Sequence, residues 1–322
     1  MAWLSERTLY PGCVIRRLLL SATRSDVVKK VVTTAPGVGG VVTRFAAGES
    51  DDDAVRATDE LVRSGFLVSL DHLGEDTLDR SQADATRDAY VTILGRLADS
   101  GLTSGAEVSV KLSAVGQALG GDGPALATDN ARAICEAARV AGTTVTLDME
   151  DHTTTDLTLE TLRTLRKDFP DTGAVLQAYL HRTEGDCRDL ATAGSRIRLC
   201  KGAYKEPDSV AHQARADVDL AFVRCLKILM AGDGYPMLAT HDDRLIAVAE
   251  ALTVRNDRAK GSYEFQMLYG VRRDEQQRLR DAGEKVRIYV PYGDQWYGYL
   301  VRRMAERPAN LMLGVRAMLG GG

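Results

Sequence analysis

FLVSLDHLG (66–74) sets the pattern that decides the fold: a β-rich apolar run ends in polar or charged residues, and a helical run follows. Seven further stretches do the same. They are EVSVKLSAVG (107–116), TVTLDMED (144–151), GAVLQAYLHR (173–182), RIRLCKGAY (196–204), PMLATHDD (236–243), YEFQMLYG (263–270) and VRIYVPYG (286–293). Eight strand–helix units are the number that closes a (βα)₈ barrel of the TIM type, an α/β fold. A doubly wound sheet is the alternative, but it usually has fewer strands and has no need of a regular eight. A barrel puts its chemistry at the C-terminal ends of its strands. The candidate site residues are therefore Asp71, Lys111, Asp148, Gln177, Arg198, Lys201, His241 and Gln266.

Outside the barrel lies a surplus. The chain has 322 residues, against roughly 250 for a typical barrel. Residues 1–65 read as extra N-terminal helices packed on the barrel, and 66–322 as the barrel itself. CVIRRLLLSA (13–22) is basic and apolar, and its reading as a helix packed on the barrel is favoured over one lying on a membrane surface. Ala35-Pro36-Gly37 breaks that run, a short helix is expected around 40–47, and Asp51, Asp52 and Asp53 favour the start of another. Later helices are expected over 86–101, 126–142, 157–169, 243–256 and 274–283, with GGDGP (120–124) as an exposed loop.

Bulk properties exclude several classes. A net charge of -4 offers no basic field for nucleic acid. Five scattered cysteines, none in a CxxC pair, read as reduced thiols in the cytoplasm and imply no zinc site. No apolar run approaches the roughly 20 residues that span a bilayer, and no signal-peptide core is expected.

Motifs narrow the chemistry. Neither GxGxxG nor GxxxxGK[ST] is present, and GVGG (37–40) has the wrong spacing, so no Rossmann turn is expected. In RIRLCKGAY, Arg198 and Cys200 share one strand face, with Ile197 and Leu199 on the other. An inward Arg198 either meets an anion or a polar ring system or pairs with a neighbouring carboxylate. Small residues after Lys201 let a flat group approach the backbone. Lys111 and Asp148 end consecutive strands, as an ion pair across the mouth or as ligand-binding groups. Asp148, Glu150 and Asp151 crowd one strand end, more than a helix cap needs. No histidine pair has metal-ligand spacing, so no metal is expected. Arg302-Arg303, with Glu306 one turn on, is either a solvated basic face or a carboxylate clamp. A metal-dependent or Schiff-base barrel enzyme such as an aldolase, with Lys111 or Lys201 as nucleophile, and a barrel that only binds amino acids are the competing functions.

VSVKLSA, TLDMED, LQAY, RLCKGAYKEP, ATHD, YEFQMLYG and RIYVPYG…YLVRRMAER occur in one order along the barrel. Together they resemble the proline dehydrogenase family in its single-domain bacterial form. KGAY and the YLVRR ending are the most specific. The resemblance implies a distorted (βα)₈ barrel with non-covalent FAD, and oxidation of L-proline to Δ1-pyrroline-5-carboxylate. It also implies a membrane quinone as electron acceptor, hence a cytoplasmic enzyme meeting the inner face of the membrane. The aldehyde dehydrogenase half of bifunctional relatives is lacking, so pyrroline-5-carboxylate dehydrogenase is expected as a separate chain.

Carried over motif by motif, Lys111 contacts substrate, Asp148 is catalytic, and Met149 and Gln177 lie beside the flavin. Arg198 approaches flavin N5. Lys201, Gly202 and Ala203 meet the cofactor through backbone, and Thr240, His241 and Gln266 also adjoin it. Tyr289 shapes the proline pocket, Arg302 and Arg303 hold its carboxylate, and Glu306 fixes that clamp. The family's last barrel helix sits over the mouth, so a basic pair there faces substrate. Two departures are visible: Cys200 stands where valine is common, and Arg307 where asparagine often follows the glutamate.

Overall fold

In the computed structural model, residues 45–74 and 77–296 are described. Arg302, Arg303, Glu306, CVIRRLLLSA and most of the short helix expected around 40–47 lie outside them. Eight parallel strands close a barrel in sequence order. They are β1 (Leu67–His72), β2 (Ala106–Lys111), β3 (Val145–Asp148), β4 (Gly173–Gln177), β5 (Arg196–Cys200), β6 (Tyr235–Ala239), β7 (Glu264–Leu268) and β8 (Val286–Tyr292). Helix α1 (Asp51–Arg63) precedes the barrel. Helices α2 (Arg80–Asp99), α3 (Gly123–Ala141), α4 (Thr155–Leu165), α5 (Thr183–Leu190), α6 (Arg215–Ala231), α7 (Asp243–Arg255) and α8 (Arg273–Asp281) follow β1 to β7 in turn. The (βα)₈ reading is borne out.

The strands obey a period of two, and each face has its own chemistry. Val68, Leu70, Val108, Val110, Leu147, Ile197 and Leu199 join helix residues such as Ile93, Leu97 and Ile134 in one continuous core. The alternate positions face each other across the barrel. There the register pairs Ser69 with Glu107, Lys111 with Asp148, Val175 with Arg198 and Gln266 with Arg287. Gly173 stands in this inner set because a Cβ there would sit 2.7 Å from Thr146 Oγ1.

Helix starts explain where the structure departs from expectation. α1 begins with a capping box. Ser50 Oγ accepts from the Asp53 N–H, the Asp53 carboxylate accepts from the Ser50 N–H, and three aspartates line the first turn. α2 begins six residues before the expected 86. Asp79 accepts from the Gln82 N–H at 2.9 Å, and Gln82 Oε1 accepts from the Leu78 N–H at 3.0 Å, a box that periodicity alone does not show. GGDGP is not wholly loop: Gly123 and Pro124 form the first turn of α3, where a missing N–H leaves no bond unmade. The segment before α1 is tied to the end of β8 by Ala47 N–H to Pro291 O (2.9 Å), Gly293 N–H to Gly48 O (3.0 Å) and Trp296 Nε1 to Glu49 Oε1 (2.7 Å).

Candidate active site

One half of the barrel mouth is charged. Asp71 from β1, Lys111 from β2, Asp148 from β3 and Tyr289 from β8 meet there. Lys111 Nζ donates to both Asp71 oxygens at 2.7 and 2.8 Å and lies 3.6 Å from Asp148 Oδ2. Tyr289 OH donates to Asp148 Oδ2 at 2.7 Å, while Asp148 Oδ1 accepts from Ser109 Oγ (2.6 Å) and Arg198 Nη1 (2.7 Å). Of the two readings of Arg198, the paired-carboxylate one describes this geometry. The guanidinium also donates to Ser109 Oγ (3.0 Å), Ser69 Oγ (3.2 Å) and Gln266 Oε1, and lies 5.3 Å from the centre of the Tyr289 ring.

These charges tune one another. Burial alone would push Asp148 up; Arg198 and Lys111, with the Ser109 and Tyr289 hydroxyls, overcome it and hold the carboxyl below its usual range. Burial would likewise lower Lys111, but Asp71 and Asp148 raise it, so the ammonium keeps its proton. Asp71 moves the other way: burial raises it more than Lys111 lowers it. A Schiff-base lysine must be neutral to attack, so a protonated Lys111 speaks against the aldolase alternative.

The opposite half is less polar. β4 to β7 end in Gln177, Cys200, Ala239 and Leu268, and the last three are partly exposed. Gln177 Nε2 donates to the Glu150 carbonyl at 2.7 Å, and Met149 is buried. Burial raises the Cys200 thiol to about 11, so it is a neutral, weakly polar wall.

Beyond these strand ends, loops make the rim. Lys201 Nζ donates to Asp219 (2.5 Å) and Asp242 (3.1 Å), which ties the end of β5 to α6 and to the start of α7. Lys201 therefore contributes its charge to the frame. Gly202 follows with φ +106°, and a Cβ there would lie 2.3 Å from the Tyr179 ring. Ala203 is exposed. Thr240 Oγ1 accepts from the Asp242 N–H (3.2 Å), and His241 Nε2 accepts from the Leu268 N–H (3.0 Å). His241 thereby joins the ends of β6 and β7.

Beneath the mouth lies a second polar layer that the strand-end reading passed over. Glu107, Arg196, Glu264 and Arg287 are interior residues low in their strands. Arg196 Nη2 meets Glu107 Oε2 at 2.5 Å, and Arg287 Nε meets Glu264 Oε1 at 2.7 Å. Gln266 bridges the layers: Oε1 accepts from Arg198, and Nε2 donates to Glu264 at 2.6 Å. Alternation holds the signal. EVSVK, RIRLC, EFQ and RIY each place polar residues two apart, and in a closed barrel that face looks inward. Among the described residues, no three His, Cys, Asp or Glu side chains gather as a metal site.

A family model described as proline dehydrogenase matches residues 54–312. The proline dehydrogenase of Deinococcus radiodurans is 41% identical over 280 residues, covering 86% of this chain and 90% of that protein. Proline dehydrogenase 1 of Bacillus subtilis is 36% identical over 276 residues, with 86% and 90% covered. Among solved structures, proline utilization A from Bdellovibrio bacteriovorus, inactivated by N-propargylglycine, superposes with a TM-score of 0.77 at 26% identity. It covers 84% of this chain, which spans 33% of that longer one. With a family model over most of its length and relatives matched nearly end to end, the chain belongs to the proline dehydrogenase family.

Proposed function

We propose that the chain oxidises L-proline to Δ1-pyrroline-5-carboxylate, the first step of proline degradation, with FAD as immediate acceptor and a quinone as the final one. The observation that carries this is the division of the mouth. A cluster of Asp71, Lys111, Asp148 and Tyr289 faces a shelf of Cys200, Ala239 and Leu268 across a fixed Arg198. The first suits a small zwitterion; the second suits the flat face of a ring system.

The residues fit a flavin. Gly202 takes a backbone conformation that side chains rarely adopt and lies against Tyr179, so the β5 loop is held with its backbone at the rim. Gln177, Met149, Thr240, His241 and the Lys201–Ala203 backbone would hold FAD, which when bound supplies the two-electron acceptor. Arg198 would stand near flavin N5 and stabilise negative charge gained there. Lys111, Arg302 and Arg303 would grip the proline carboxylate, with Glu306 steadying the pair and Tyr289 closing the pocket. Lys111, protonated, orients the substrate and is not the base. The product would be consumed by a pyrroline-5-carboxylate dehydrogenase activity. Among the described residues no helix is long and apolar enough to cross a membrane.

Colour tests the proposal. The purified protein should be yellow, and its flavin absorbance should bleach when proline is added. It should reduce quinones or dyes and leave NAD untouched. A protein that takes up no FAD, or one that reduces NAD with proline and no second enzyme, overturns the reading.

A further inference from the structure

Arg198 is held between two carboxylates, and only one of them belongs to the mouth. Its five N–H groups have identifiable partners. Nε donates to Gln266. Nη1 donates to Ser109 and Asp148. Nη2 donates to Ser69 Oγ at 3.2 Å and stands 3.6 Å from Glu107 Oε1. Ser69 passes the contact on, because its hydroxyl donates to Glu107 Oε1 at 3.2 Å. Glu107 is 1% exposed and sits on the barrel floor, two residues below Ser109 and four below Lys111 in β2.

Glu107 is also the hub of the floor. Arg196 reaches its Oε2 at 2.5 Å, Arg287 Nε lies 3.7 Å from Oε1, and Thr144 and Thr146 donate to it at 3.2 Å each. Three arginines outweigh the penalty of burial and hold its carboxyl down at about 2. Formally, the barrel interior carries Asp71, Glu107, Asp148 and Glu264 against Lys111, Arg196, Arg198 and Arg287, four charges against four. Removing Glu107 unbalances that set beside Arg198, in a medium where charges are weakly screened.

We propose that Glu107 is a positioning residue for the oxidation: from the barrel floor it holds the Nη2 edge of Arg198 and offsets part of its positive charge, and so sets how readily electrons are accepted above it. This deepens the reading of the site given above and rests on it. Asp148 holds Nη1 from the mouth, and Glu107 stands beside Nη2 from the floor. A carboxylate buried on the barrel floor thereby contributes to the driving force.

The test is the flavin midpoint potential of FAD-loaded holoenzyme, measured by equilibration with a reference dye. Glu107→Gln keeps size and hydrogen-bond acceptance and removes the charge. Arg198 then acts less opposed, and the equilibrium for flavin reduction should shift about tenfold toward the reduced form, about 30 mV for a two-electron couple. Glu107→Asp keeps the charge and should return the potential toward wild type. Arg198→Met should move the potential the opposite way, downward. If Arg198→Met lowers the potential while Glu107→Gln, folded and fully loaded, leaves it unchanged, Glu107 is structural only and the inference is overturned while the site reading stands. If Arg198→Met changes nothing, Arg198 is not beside the flavin, and the site reading falls together with the inference. Should Glu107→Gln fail to fold, the double variant Glu107→Gln/Arg196→Met is read against Arg196→Met alone: a higher potential in the double variant supports the inference, and an equal one overturns it.

Discussion

Asp148 accepts from Arg198, Ser109 and Tyr289 and lies beside Lys111, so its ionisation is shared among them. Tyr289→Phe removes one donor and leaves the ring that packs near Arg198. That hydroxyl helps to lower Asp148, so without it the carboxyl should titrate higher. The same hydroxyl lowers Asp71, so the acid limb of kcat/KM should move to higher pH, and an unchanged limb would show that the ionisation of these two carboxyls does not govern turnover. Substrate grip can be probed separately. Lys111→Met, and equally Arg303→Met, should raise KM for proline while FAD content is retained. Each lost charge-assisted contact should cost about 1.5–3 kcal/mol in kcat/KM. Wild-type kcat/KM in Arg303→Met would remove the clamp from the mechanism.

Elements decide which of these residues were readable beforehand. The strand ends were legible because β-rich runs stop at polar residues, which is where parallel strands release the chain. Asp71, Lys111, Asp148 and Arg198 do meet in space. Glu107, Arg196, Glu264 and Arg287 stayed hidden because a charged residue early in a strand looks the same whether solvated or buried. Only closure of the sheet puts that face inside. The Asp79–Gln82 box was missed for a different reason: its cap lies one turn before the apolar periodicity of α2 begins. The β5 loop is the element on which the rim most depends. In Gly202→Ala the new Cβ collides with Tyr179, whose hydroxyl donates to Glu206 at 3.4 Å, with His152 on the same carboxylate. Strain at a positive φ adds about 1–3 kcal/mol. Gly202→Ala should therefore lower Tm and lose FAD on dialysis. A variant that keeps both would show that this loop adapts without displacing Tyr179.

Across the whole molecule, catalysis and folding should fail at different acidities, because the buried carboxyls are shifted in opposite senses. Asp148 and Glu107 are lowered in the fold, burial being overcome by their arginine and lysine neighbours. A lowered acid contributes stability above its unfolded value, about 4 for carboxylates. That contribution is lost as pH falls through the folded value, which for Glu107 is about 2. Asp71 and Glu150 are raised, chiefly by burial. They take up protons above about 4, while the fold still holds, and that uptake favours the folded state. Protonated Asp71 no longer anchors Lys111 as an anion, so proline affinity should weaken before stability does. On the alkaline side Lys111 is raised by Asp71 and Asp148 against burial, so its share of stability persists below about 10.4 and is lost as pH rises through the folded value. Measured together, kcat/KM should begin to fall on the alkaline side of the ordinary carboxylate value of about 4, because Asp71 is raised, while guanidinium midpoints stay nearly level and drop only below about pH 4. Coincident loss of activity and stability would mean that the mouth carboxyls titrate with the fold as one unit, and that Asp71 does not hold Lys111 for substrate.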